Sequence, residues 1–180
     1  MYRKLLVFFS LLVPVLVITQ TPKRGAQQPN PTPPATQPQN QPQTGEQQPT
    51  EEQMRAEAEE GIKHVLVSQA EAWNSGNLQG YMAGYWHAPD LTFFSGTAVT
   101  KGWEATLQRY QRNYKGQGKE MGQLEFQDLN IDLLSNRAAV VTGRWQLTMS
   151  DGKTPGGLFT LIFKRMQGGW RIVHDHTSGS

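Results

Sequence analysis

The chain has 180 residues, a net charge of +2, 18% charged residues and no cysteine. Fourteen of its aromatic residues follow residue 50, whereas 8 of its 11 prolines lie between Pro22 and Pro49. These values exclude a polytopic membrane protein, a collagen, a disulfide scaffold and a fully disordered chain. The basic balance belongs to the head: Arg3, Lys4, Lys23 and Arg24 precede Glu51, and Glu51–Ser180 holds 13 Lys and Arg against 14 Asp and Glu. A nucleic-acid footprint needs basic residues clustered on the folded unit, so no nucleic-acid partner is expected.

Met1–Lys4 carries two positive charges, and Leu5–Ile18 is apolar apart from Ser10 and Pro14. This is the charged start and short apolar run of an export signal. The run falls short of the ~20 residues that span a bilayer comfortably. No A-x-A-like cleavage site follows, so residues 1–20 read as a cleaved export signal or as a retained N-terminal anchor. Either way the domain is expected outside the cytoplasm, periplasmic or extracellular, with membrane contact only through residues 5–18. Residues 21–50 follow as a Pro/Gln-rich linker. Ala26 and Ala35 are the apolar residues between Gln20 and Thr50, too few to offset ordering entropy, and the prolines stiffen the tether.

The domain is expected over residues 51–180. Thr50-Glu51-Glu52-Gln53 has the form of a capping box. Met54, Ala58, Ile62, Val65, Leu66 and Trp73 then recur at helical spacing to about Asn74. A short helix is predicted from Asn77 to about Tyr85, then a hairpin of Leu91–Phe94 with Thr97–Val99. Thr100 is expected to cap a third helix whose face carries Trp103, Leu107, Tyr110 and Tyr114. Gly116 and Gly118 end it, and the period changes to two. Leu124 and Phe126 alternate in one phase, Leu129, Ile131 and Leu133 in the other, which predicts a bulge near Asp128. Strands follow over Arg137–Met149 and Gly157–Met166, and Gly168-Gly169 turns into Trp170–His176. The fold class is α+β: three N-terminal helices packed on one face of a strongly bent, mainly antiparallel sheet. Such a sheet leaves a cone whose mouth is a natural pocket.

Several short motifs carry a resemblance. They are Ala72-Trp73-Asn74 with Gly76-Asn77, Gly84-Tyr85-Trp86, Gly102-Trp103, Arg109-Tyr110, Gly143-Arg144-Trp145, and the ending Gly169-Trp170-Arg171-Ile172-Val173-His174-Asp175-His176-Thr177-Ser178. Over about residues 55 to 178 the chain resembles the nuclear transport factor 2-like superfamily, and within it the SnoaL-like and ketosteroid-isomerase-like bacterial domains. The resemblance implies a cone-shaped fold, often a homodimer joined through the sheet. No family mechanism carries over, because Glu125, Asp128, Asp132 and Asp175 stand in no isomerase signature.

His174 and His176 are two apart on a strand, and strict alternation points both to the face of Trp170 and Ile172, with Asp175 opposite. Three readings stay open for the pair: a metal chelate without a visible third ligand, a pocket acid or base with His176 favoured, and a structural hydrogen-bonded histidine. Arg144 can clamp a carboxylate or phosphate if its face is the concave one. Tyr85, Tyr110, Tyr114 and Trp103 complete the expected ligand-binding set with Arg144 and His176. No nucleophile elbow, P-loop, dinucleotide fingerprint or metalloprotease helix occurs, so no cofactor and no metal are expected. The first functional expectation is an exported domain binding a small, partly apolar molecule, with or without cofactor-independent proton transfer by His176. The alternative is a non-catalytic dimerisation or interaction module on a tether.

Overall fold

A computed structural model describes residues 48–179 apart from Gln117. The expected export signal and nearly all of the expected linker lie outside these residues. Among the described residues no helix is long and apolar enough to cross a membrane.

Helix α1 spans Glu51–Asn74, and its capping box is complete: Gln53 N–H donates to Thr50 Oγ1, while Thr50 N–H donates to Gln53 Oε1. Its buried stripe is Ala58, Ile62, Val65, Leu66, Gln69 and Trp73. Gly61 sits inside this helix for a reason of space. A Cβ there would lie 2.8 Å from Cδ1 of Trp170. Gly61→Ala therefore sets a gain of roughly 1 kcal/mol in helix propensity against overpacking of about 1–3 kcal/mol. The net expectation is a lower melting temperature; an unchanged or higher one would show that α1 can shift away from Trp170.

The C-terminal end of α1 is bolted to the sheet by Trp73 and Asn74. Trp73 Nε1–H is shared between the carbonyls of Met121 and Gly122, each at 3.2 Å. Asn74 donates to the carbonyl of Leu124 and accepts from its N–H at 2.6 Å. Helix α2, Leu78–Met82, is capped by Asn77 and is shorter than its sequence spacing suggests. Strands β1, Thr92–Ser95, and β2, Ala98–Lys101, form the expected hairpin. Thr100 belongs to β2, opposite Phe93, and does not cap a helix. Helix α3, Trp103–Tyr110, starts instead from Gly102 at φ 89°. It widens into a π turn over Gln111–Lys115.

The four long strands are β3, Gln123–Ser135; β4, Ala138–Thr148; β5, Gly156–Met166; and β6, Gly169–Thr177. The sheet order is β2-β1-β6-β5-β4-β3. Only β1 with β6 is a parallel pair among neighbouring strands. The phase slip in β3 is a bulge between Gln127 and Asn130, with Asp128 at φ 52°. It returns Ile131 and Leu133 to the face already occupied by Leu124 and Phe126, so all four pack on the core.

A bulge in β6 matters more for function. Ile162 pairs with His174, but the next residue, Phe163, pairs with Ile172. Val173 is the extra residue. One inserted residue inverts every side chain beyond it. Trp170 and Ile172 face the core before the bulge, and Asp175 faces it afterwards.

Candidate functional site

The concave face of the sheet and the three helices enclose a cavity of about 220 Å³. Its walls are aromatic and apolar, built from Trp73, Tyr81, Tyr114, Phe126, Trp145 and Phe159 among others. Trp73 is the hub of the helical wall. Its ring lies edge-on to Tyr81, Tyr110 and Tyr114, with centroids 5.1, 5.9 and 4.8 Å away.

The polar centre of this cavity is Asp175, which is 3% exposed. Tyr85 Oη–H donates to Asp175 Oδ2 at 2.7 Å. Thr177 Oγ1–H donates to Asp175 Oδ1 at 2.5 Å. Behind Tyr85 stand two more hydroxyls: Tyr81 and Tyr110 Oη lie 3.3 and 3.5 Å from Tyr85 Oη and 3.4 Å from each other. Tyr85 has one proton, and the carboxylate takes it. Its oxygen is left to accept from a neighbouring tyrosine.

Burial dominates the electrostatics. Desolvation pushes the Asp175 carboxyl up from 3.8 to about 6, against the opposing hydrogen bonds from Thr177 and Tyr85 and the nearby His176. The Tyr81, Tyr85 and Tyr110 hydroxyls are all raised, first by burial and then by neighbours that include the Asp175 charge. The tyrosines therefore act as neutral donors. Asp175 is a carboxyl whose charge changes near neutral pH, the condition that suits an acid–base group.

Of the residues expected at the site, Tyr85, Tyr110 and Tyr114 line the cavity. His176 does not. The β6 bulge turns it to the outer face of the sheet, where it is exposed and lies beside Phe94. The expectation that it faces the cavity is corrected, and Asp175 occupies the place assigned to it. His174 is also turned away, with its Nδ1 2.6 Å from Thr92 Oγ1. Arg144 is exposed on the outer face of β4 and pairs with Asp128 across the β3 bulge at 3.1 Å. Its neighbours Gly143 and Trp145 carry the inward phase. Trp103 is buried beside the cavity without lining it: Nε1–H donates to the Met82 carbonyl at 2.8 Å, and His87 stacks on its ring. No group of three or more His, Cys, Asp or Glu side chains among the described residues is placed to hold a metal ion.

Sequence reasoning missed Asp175, Tyr81 and Gln69. Tyr81 was findable, because Leu78, Tyr81, Met82 and Tyr85 share the i, i+3, i+4, i+7 spacing of one helical face. Gln69 is a polar residue on the apolar stripe of α1. Its Nε2–H donates to the Tyr81 carbonyl at 2.9 Å, and its side chain fills the space that a Cβ on Gly84 would need.

The profile of the SnoaL-like domain matches residues 62–179. The chain belongs to the SnoaL-like domain family. Among solved structures, this SnoaL-like chain is similar to a nuclear transport factor 2-like protein of unknown function from Shewanella oneidensis. The two are 40% identical over 67% of this chain and 98% of that one, with a TM-score of 0.62. A superfamily protein from Salmonella enterica is 19% identical over 69% and 92% of the two chains, with a TM-score of 0.59. A protein of unknown function from Pseudomonas putida is 19% identical over 69% and 87%, with a TM-score of 0.58. These last two show the fold alone. No curated protein matches the chain. SnoaL-like domains share a fold that often binds small molecules or is enzymatic, so the site has to carry the functional argument.

Proposed function

We propose that this SnoaL-like domain binds a small, partly apolar molecule in its cone and moves a proton on it without a cofactor. Asp175 is the acid–base group in this reading. The observation that carries it is a buried carboxyl, raised to about 6, open to a cavity beside three tyrosine hydroxyls. A bound carbonyl compound would place its oxygen at the Tyr81–Tyr110 hydroxyls and an adjacent C–H or O–H at Asp175. The carboxylate accepts the proton while a tyrosine donates to the oxygen on which charge builds. Return of the proton to a different atom of the same molecule gives an isomer, with no net change of oxidation state.

The cavity supports binding over a purely structural module. A cone closed by Trp103 and Tyr114 would have favoured the module, whereas Trp103 lies behind the wall and the space remains. We also propose that the domain lies outside the cytoplasm as a homodimer joined through the sheet. Leu158, 53% exposed on the outer phase of β5, offers an apolar side chain for such a face.

Native mass spectrometry of the full-length protein from cells tests this reading. The wild type and His176→Ala should retain the same added mass on a dimer, and Asp175→Asn and Tyr85→Phe should lose it or hold it more weakly. A protein that never carries a ligand, or one whose ligand is indifferent to Asp175 and lost with His176, contradicts it.

A further inference from the structure

The lining of the cavity includes a cation that the proton-transfer reading does not use. Arg109 lies on α3 immediately before Tyr110 and lines the same cavity as Asp175. Its guanidinium carbon lies 5.4 Å from the centre of the Phe93 ring. The ion pairs among the described residues join His87 to Glu104, Arg144 to Asp128, Lys153 to Asp151 and Arg165 to Glu57. Arg109 is in none of them. A guanidinium resting on an aromatic face is held in orientation while its N–H edge stays available, and that edge fits a carboxylate in two-point fashion.

The surroundings complete an anion subsite. Ser95 and Asn113 also line the cavity and add hydrogen-bonding side chains. Asn113 sits on the π turn of Gln111–Lys115, a helix irregularity frequent at functional sites. Arg109 is the only Lys, Arg or His among the described residues that line the cavity. One cation in the lining suits a ligand with a single negative charge. The volume of about 220 Å³ lies below the ~300–1,000 Å³ of drug-sized sites and, at ~30 Å³ per water, corresponds to roughly seven waters, which suits a small ligand.

We infer that the ligand is a small monocarboxylate with a flat apolar body, its carboxylate on Arg109 and its other end toward Asp175 and Tyr85. This rests on the binding reading above and names the ligand class for that site. Phenylacetate and phenylacetamide, which share shape and differ in charge, are the probes. Titration calorimetry with the full-length wild type should show phenylacetate bound on the order of tenfold more tightly. Arg109→Gln should bind the two alike, and Arg109→Lys should keep part of the preference, because the charge survives and the fork does not. Unchanged thermal melting of both variants would show that the fold is intact. Equal binding of the two probes by the wild type, or a preference that survives Arg109→Gln, would overturn the inference and leave the cavity reading standing. If neither probe binds, the inference fails. A ligand retained in native mass spectrometry would then preserve the binding reading, and an empty protein would remove both.

Discussion

Asp175→Asn will make the domain more stable at pH 8 and remove the proposed proton transfer. A carboxyl raised from 3.8 to about 6 holds its proton more tightly in the folded than in the unfolded chain. Protonation then favours folding. The wild type is at its best, as far as this group is concerned, below about pH 4. It loses stability as the pH rises to about 6, and the loss is complete above that. The difference between the two values corresponds to about 3 kcal/mol. Asparagine is neutral throughout and can keep both contacts, its oxygen accepting from Tyr85 and its amide donating to Thr177. Urea denaturation at pH 8 should show the variant more stable by about 1–3 kcal/mol, and at pH 4 the two proteins should agree within about 1 kcal/mol. A variant destabilised equally at both pH values would make Asp175 a structural acid. A gain in stability with a loss of function is the mark of a residue kept for its chemistry.

Trp73→Ala will have the largest destabilising effect of any single change in the cavity wall. The indole is 3% exposed and touches Tyr81, Tyr110 and Tyr114 by ring contacts. Its N–H also satisfies the carbonyls at the start of β3. Removing a buried indole costs about 3–5 kcal/mol through lost burial and the void left behind. Trp73→Phe keeps most of the packing and loses the N–H, for about 1–2 kcal/mol. Denaturant midpoints should rank wild type, Phe and Ala in that order. A cost below about 1 kcal/mol for Ala would mean that the wall closes over the void, and the cavity would then be softer than its contacts imply.

The two histidines of β6 and the acid between them show how much of this was legible in the sequence. The stripe of α1, the bulge at Asp128 and the tyrosines at 110 and 114 follow from spacing, because burial imposes a period of 3.6 on a helix and of two on a strand. Those rules fail where the partner strand decides. Nothing in Ile172-Val173-His174 announces an extra residue: there is no glycine, proline or charge to mark it. The pairing of β6 with β5 places the bulge there, and a single unpaired residue exchanges the buried and exposed sets. Strict alternation therefore aimed His176 inward and Asp175 outward, the reverse of the structure. Arg144 failed for a different reason. Its phase relative to Trp145 was readable, but which phase faces the helices was not, because both carry apolar residues. Trp103 has the helical spacing of Leu107 and Tyr110, and spacing cannot separate a wall residue from one packed behind the wall. Gln69 and Gly84 explain each other only once α1 and the segment after α2 are side by side.

The central claim is that Asp175 titrates near neutral pH inside a ligand-sized cavity. Carbon-13 NMR of the Asp175 side-chain carboxyl, followed across pH, measures this directly. The account predicts a midpoint near 6, moving higher in Tyr85→Phe because a hydrogen bond to the charged form is lost. A midpoint at or below the ordinary 3.8 would contradict it, since the carboxyl would then be solvated and permanently charged, with no proton to exchange at neutral pH.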